Sequence, residues 1–182
     1  MQVREQVQGS QEEIERVRAY LLSQAANLRL PELVSKVRRD SWQLRDAALV
    51  VPVGRFGEPP AAGEWSAAQV TGHVLSANAT TTRLILDLLE RGAASSESPA
   101  QDRRLSVPPA SGGRFWEPLR GARERLYARV LRARGDEHLD ARAGHFAFGG
   151  LNWREWLLFL RVHDLDHARQ LQAIGDSLRG RP

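Results

Sequence analysis

The sequence predicts an all-α protein, a four-helix up-down bundle with an extra N-terminal helix. Three observations carry that expectation. Apolar residues recur every three or four positions along four or five segments, the period of one helical face, and no strand signal competes with them. Three of the segments open on the same start grammar, a capping side chain followed three residues later by Gln or Glu. Glycines stand where the segments should stop.

The first helix is expected from about Ser10 to Arg29. Ser10 and Glu13 form a capping box, and Ile14, Val17, Leu21 and Leu28 keep the helical period. Pro31 interrupts it and suits the first turn of a second helix, about Pro31 to Leu49, with Leu33 (or Val34), Val37, Leu44 and Ala48 as its buried stripe. Val50 to Gly63, with its prolines and glycines, is a loop. The third helix has the best-specified start: Ser66 and Gln69 as capping box, Trp65 and Val70 as hydrophobic staple, and Gly92 as its C-cap after Arg91. Ala93 to Gly113, rich in Ser, Pro and Ala, is expected to be a long loop. A fourth helix follows from about Pro118 to Arg134, with Leu119, Ala122, Leu126 and Val130 on one side and Gly135 as its stop. The last runs from Asn152 to about Ile174, with an Asn152–Glu155 capping box, a Leu151–Trp156 staple and Gly175 as C-cap. The domain division expected is a helical extension over 1–30 and the bundle over 31–182.

With 182 residues, 42% hydrophobic and 26% charged, the chain is long enough to build one domain with a real core. No apolar run approaches the roughly eighteen residues of a membrane span, and the polar N-terminus lacks the order of a secretory signal. A cytoplasmic location and no membrane partner are the expectation. The absence of cysteine excludes disulfides, thiolate zinc sites and a cysteine nucleophile. Any thiol chemistry must use a thiol that arrives from outside. The net charge is +4, with 25 arginines and only Lys36 as lysine, but the arginines are interleaved with carboxylates and form no basic block. That pattern reads as a solvated surface, and without a helix-turn-helix signature nucleic acid is not the expected partner.

Three histidines stand out against this background. His163 and His167 are four apart, on one face of the last helix. At about 100° per residue, His167 lies about 40° from His163, Trp156 and Ile174 about 20°, and Leu160 about 60°. Both rings therefore sit inside the apolar stripe. On the third helix, Ala77 and Leu84 fall within about 40° of His73, which faces the core as well. A neutral buried imidazole needs both a donor and an acceptor, and three unmatched rings would cost roughly 1–3 kcal/mol each. One divalent cation held by three nitrogens removes that cost and leaves a coordination position open, as in catalytic zinc sites. Hydrogen bonding is the competing account, since single core histidines more often bond to protein groups and an HxxxH spacing also arises by chance.

The segment His163-Asp164-Leu165-Asp166-His167 is an HExxH-like pattern with a shortened carboxylate, which makes Asp164 the one catalytic candidate. Asp164 and Asp166 nevertheless lie about 80° from the midpoint of the two histidines, on opposite flanks, where a supporting or helix-contact role fits better. Gln170 and Thr80 point more nearly toward the histidines and suit orientation of water or substrate, or polar packing at the core edge. His138 and His145 fall in the Gly135–Leu151 loop and are left out of the metal set.

Glu64-Trp65-Ser66-Ala67-Ala68-Gln69-Val70-Thr71-Gly72-His73 resembles the W-S-x-x-x-v-x-H entry of the DinB/YfiT-like superfamily. His145 to Trp156 resembles its H-x-x-F-G-x-L-t-x-x-E-W approach, and His163, His167 and Gln170 its closing H-x-x-x-H-x-x-Q. The resemblance covers about Pro31 to Ile174. It implies a four-helix bundle with zinc, nickel or iron on His73, His163 and His167, and often a homodimer. It also implies, in some branches, transferases and isomerases that use mycothiol, bacillithiol or glutathione. The extra N-terminal helix and the 93–113 loop depart from the generic pattern.

Two functions follow. One is a metal-dependent enzyme acting on a small-molecule substrate, either a thiol-dependent S-transferase or a hydrolase. The other is a non-catalytic bundle stabilised by its metal, with a role in stress response.

Overall fold

Five α-helices and one short hairpin build the described residues, 11–94 and 107–180, of the computed structural model. In chain order they are α1 (Gln11–Asn27), α2 (Leu30–Val50), α3 (Ala67–Arg91), α4 (Gly112–Val130), β1 (Ala143–His145), β2 (Gly149–Leu151) and α5 (Trp153–Arg179). None of the helices is long and apolar enough to cross a membrane. The all-α bundle expected from the apolar periods is the fold observed. The Ser10–Glu13 capping box and the middle of the 93–113 loop lie outside the described residues.

The start signals form as expected. Ser66 Oγ accepts from the Gln69 amide, and Gln69 Oε1 accepts from the Ser66 amide at 2.9 Å. Asn152 Oδ1 accepts from the Arg154 and Glu155 amides, while Glu155 Oε2 accepts from the Asn152 amide at 2.8 Å. Gly92 ends α3 in the left-handed region, φ 66°. These caps satisfy orphan backbone groups and fix where α3 and α5 begin.

Three boundaries and one added element differ from the sequence expectation. Helix α4 starts at Gly112, not Pro118, because Ser111 Oγ accepts from the Arg114 amide and caps an earlier turn. Pro118 sits within the helix on its exposed side. The same helix stops at Val130 rather than Arg134, and the chain then turns toward Gly135, whose φ is +105°. Helix α5 passes Ile174 and Gly175 to reach Arg179. Gly175 is buried against the Val50 backbone, so it is a packing residue there and not a cap. The fourth difference is the antiparallel hairpin, with Ala143 opposite Leu151 and His145 opposite Gly149. Three-residue strands are too short to display an alternating period.

Helix α2 packs on α5 and α4, and α3 packs on the same two helices. Thus α2 faces α3, and α4 faces α5, across the diagonals of the bundle. Helix α1 lies along α5 and is tied to it by Arg154, which donates to the carbonyls of Ala25, Leu28 and Gly135. The contacts to Ala25 and Leu28 satisfy carbonyls at the end of α1 that have no helical partner. Arg18 adds a bond from Nε to the Phe148 carbonyl at 3.0 Å.

The core divides into two apolar clusters. One joins Leu21, Leu33, Val37, Leu88, Leu126, Trp153 and Leu157 beside α1 and the hairpin. The other joins Leu44, Phe56, Val74, Phe115, Leu119, Leu171 and Ile174 toward the opposite end. Between them each helix of the bundle contributes buried polar groups: Asp40 and Ser41 from α2, Asn78 and Thr81 from α3, Arg123 from α4, and Asp164 and His167 from α5. This polar waist carries the candidate site.

The second cluster depends on close approach of α4 to α2. A Cβ on Gly112 would stand 2.5 Å from the Ala48 carbonyl oxygen, which is backbone and cannot swing aside. Gly112→Ala is expected to cost about 1–3 kcal/mol through forced separation of the two helices, read as a lower midpoint in urea unfolding at unchanged slope.

Candidate metal centre

The start of α3 and the middle of α5 bring three imidazoles together. His73, His163 and His167 each offer a ring nitrogen, and the three nitrogens all lie within 4.8 Å of one another. His167 is buried, and the other two are half-buried. The Nε2 atoms of His73 and His163 are 3.3 Å apart. Two nitrogens at about 2.05 Å from a tetrahedral ion stand about 3.3 Å apart, so that spacing suits a zinc-sized ion. His167 Nδ1 lies 2.9 Å from Gln170 Oε1. An amide oxygen only accepts, so Nδ1 carries the proton and Nε2 carries the lone pair. A ligating histidine is usually oriented in this way through its other nitrogen.

The donor set is three imidazoles. His163 is pushed well below the ordinary imidazole value of 6.5, first by burial and then by repulsion from His167, His73, Arg123 and His145. Such a ring stays unprotonated, as a ligand must. The residues fit a divalent ion of borderline softness.

Aromatic rings flank the cluster. Trp65, just before the Ser66 cap, lies 5.5 Å from His73 between ring centres, and Phe159 lies 5.8 Å from His163. His145 lies beyond Phe159, at 4.6 Å, and stacks on Phe148. Its Nδ1 accepts from the amides of Ala147 and Phe148 and closes the hairpin turn. The exposed His138, at φ 48°, packs against Gly92.

The two aspartates between the ligands point elsewhere. Asp166 is exposed and pairs with Arg169 at 3.0 Å. Asp164 has no exposed surface, and its Oδ1 accepts from Arg123 Nη2 at 2.9 Å. Burial holds its pKa above the ordinary carboxylate value, against the pull of Arg123. Arg123 Nε donates to Asn78 Oδ1, which brings α3 into the same network. Sequence reasoning passed over Arg123 and Asn78. The signal for Arg123 was present, since it stands four residues after Leu119 and three before Leu126, within the buried stripe of α4. Thr80 is half-buried near the same level of α3.

Fold and site together define a class: a helical bundle that presents a three-histidine cluster between an early and a late helix. The sequence model described as DinB superfamily matches residues 14–171, and the chain belongs to that family. The matched span takes in most of α1, all of α2, α3 and α4, and α5 as far as Leu171. No curated protein and no solved structure matches the chain.

Two outcomes follow from the geometry. Arg123→Ala leaves Asp164 buried and unpaired and is expected to cost about 3–5 kcal/mol, whereas replacing both, Arg123→Met with Asp164→Leu, costs far less. Urea unfolding of both variants beside the unaltered chain checks this. The second concerns His163 in the metal-free protein. Its folded pKa lies below its unfolded value, so the unfolded chain binds more protons between the two and stability rises with pH there. Stability is full above about pH 6.5 and falls as pH drops toward the folded pKa. The metal-free His163→Gln protein should show a shallower loss of melting temperature over the same range.

Proposed function

We propose that His73, His163 and His167 hold one divalent ion, zinc, nickel or iron, and that the chain is a metal-dependent enzyme joining an externally supplied thiol to a small electrophilic substrate. The 3.3 Å approach of two Nε2 atoms carries the metal reading, since both nitrogens face one point as ligands do. When bound, such an ion supplies Lewis acidity that lets a nearby thiol or water lose its proton at neutral pH.

The neighbouring residues favour the thiol. A free thiol has a pKa of about 8.5 and water one of about 15.7, so a thiol needs a shift of only one or two units to ionise at pH 7. Water needs far more, and hydrolytic sites commonly add a carboxylate base. Among the described residues, Asp164 is committed to Arg123 and Asp166 to Arg169. Gln170 holds the His167 ring with Nε2 toward the cluster, and Trp65 and Phe159 wall it with apolar surface that limits water. The chain contributes no thiol of its own, so that nucleophile is a cofactor or second substrate, such as mycothiol, bacillithiol or glutathione.

Because the ligands come from α3 and α5, the same ion also clamps two helices. A protein whose melting temperature falls sharply with chelator, but which turns over no thiol and electrophile, has the purely structural role instead.

Gln170→Ala is expected to weaken metal affinity about 10–100-fold by freeing the His167 ring, with little change in the metal-free protein's stability because Gln170 is exposed. Competition with a chelating dye measures it. The catalytic reading is tested with the metal-loaded protein, a chlorinated aromatic electrophile and each of the three thiols. Adduct formation that disappears in His163→Ala supports it, and rates equal to the protein-free mixture for all three thiols contradict it.

A further inference from the structure

A line of rings joins the histidine cluster to the hairpin. It runs from His163 to Phe159 at 5.8 Å between centres, and from Phe159 to His145 at 4.6 Å. The exposed Phe146 stacks on His145 at 4.5 Å, and the buried Phe148 stacks on it at 4.6 Å. The amides of Ala147 and Phe148 donate to His145 Nδ1 at 3.1 and 3.3 Å. A ring nitrogen that accepts keeps its lone pair, so the proton of the neutral ring sits on Nε2. That edge is the one turned away from the hairpin amides. The turn and the stacked rings thus hold His145 as a hydrogen-bond donor in one orientation. It also shares in the repulsion that holds the His163 pKa down, which puts it within electrostatic reach of the cluster.

The seam between α3 and α5 leads from the metal ligands toward this ring. Val70 and Val74 share one apolar cluster with Leu171 and Ile174, and Leu84 and Leu88 share the other with Trp156 and Leu160. The two helices therefore run antiparallel, and the direction from His73 to Thr80 matches that from His163 to Phe159. Seven helical residues span about 10 Å. Along that length Ala77, Thr80 and Phe159 are half-buried, so the seam keeps accessible surface there. A wall of aromatic edges and faces suits a flat ring.

We infer that His145 binds the electrophile of the thiol reaction, and that this electrophile is a flat, electron-poor aromatic carrying a conjugated oxygen, of the nitroarene type. The inference rests on the thiol reading for the reaction, but not for the binding. The ring lies against Phe159, and the oxygen accepts from His145 Nε2–H. In the substitution, the thiolate sulfur bonds the ring carbon that carries chloride and a π pair moves onto the nitro oxygen. The pair returns as chloride leaves, and the thiol's proton passes to solvent. A donor already fixed toward the oxygen that gains charge favours the addition, because it needs no reorientation.

The test measures binding apart from turnover. The full chain, metal-loaded and metal-free, is titrated by calorimetry with m-dinitrobenzene, which has no leaving group to lose. The control is m-bis(trifluoromethyl)benzene, also electron-poor but a weak acceptor. Saturable dinitrobenzene binding is expected, about two- to tenfold tighter than the control. His145→Asn should abolish that preference with little change in melting temperature, because its Oδ1 can still accept from the turn amides. In the thiol assay with chlorodinitrobenzene the same variant should lower kcat about tenfold or more, with a smaller change in KM. The His145 Nε2–H resonance of the unaltered chain should shift with dinitrobenzene and not with the control, a readout that does not depend on the variant folding. Equal affinities for the two ligands, an unmoved resonance, or binding that fails to saturate below about 1 mM overturns the inference. So does a preference that survives in His145→Asn, which would leave His145 only the closing of the turn. Selective binding as described, with no adduct from any thiol, overturns the thiol reading and leaves the binding role of His145 standing.

Discussion

A buried ion pair, Arg123 with Asp164, sets the arrangement of the middle of the bundle. It joins α4 to α5 across the diagonal, and Asn78 ties in α3 through the same guanidinium. Removing two charges from water costs several kcal/mol each, and only close pairing offsets it. Sliding α5 by one turn, about 5.4 Å, would part the pair and bury both charges unmatched. The polar waist therefore opposes slippage in a way the flanking Leu and Val clusters, which tolerate many packings, do not. Asp164 directly follows one histidine and precedes the other by three residues, so fixing its level on α5 also fixes theirs.

That coupling explains why the three imidazoles converge without any loop to place them. Rigid helices hold metal or catalytic groups more closely than loops do. The caps at Ser66 and Asn152 set the phase of α3 and α5, the ion pair sets their height, and Gln170 sets the rotation of one ring. Trp65 serves twice, packing at the entry to α3 and standing beside His73. Imidazoles withdrawn from water in this way are costly in an apolar interior unless something engages them.

Much of this was legible in the sequence, because helical period and capping are local. The stripes of Leu33, Val37, Leu44 and Ala48 on α2, and the inward phase of His73, His163 and His167, need only 100° per residue to be read. Angular position also put Asp164 on a flank, and its bond to Arg123 lies there. What could not be read depends on contacts between distant segments. Nothing near Gly175 says that the Val50 backbone passes it, so a glycine that permits packing looks like a stop. Ser111 outcompetes Pro118 as the start of α4 because the cap satisfies amides that the proline would leave to solvent. The 143–151 hairpin is held by His145 ring bonding and by the Arg142–Glu155 pair, neither of which leaves a periodic trace.

The account rests on one ion among three rings. Its most direct measurement is elemental analysis of untagged protein, purified after growth with zinc, nickel and iron, beside His163→Ala handled identically. The account predicts close to one equivalent of divalent metal in the unaltered chain and almost none in the variant. A folded, monodisperse protein free of metal, or equal metal in both, would contradict it.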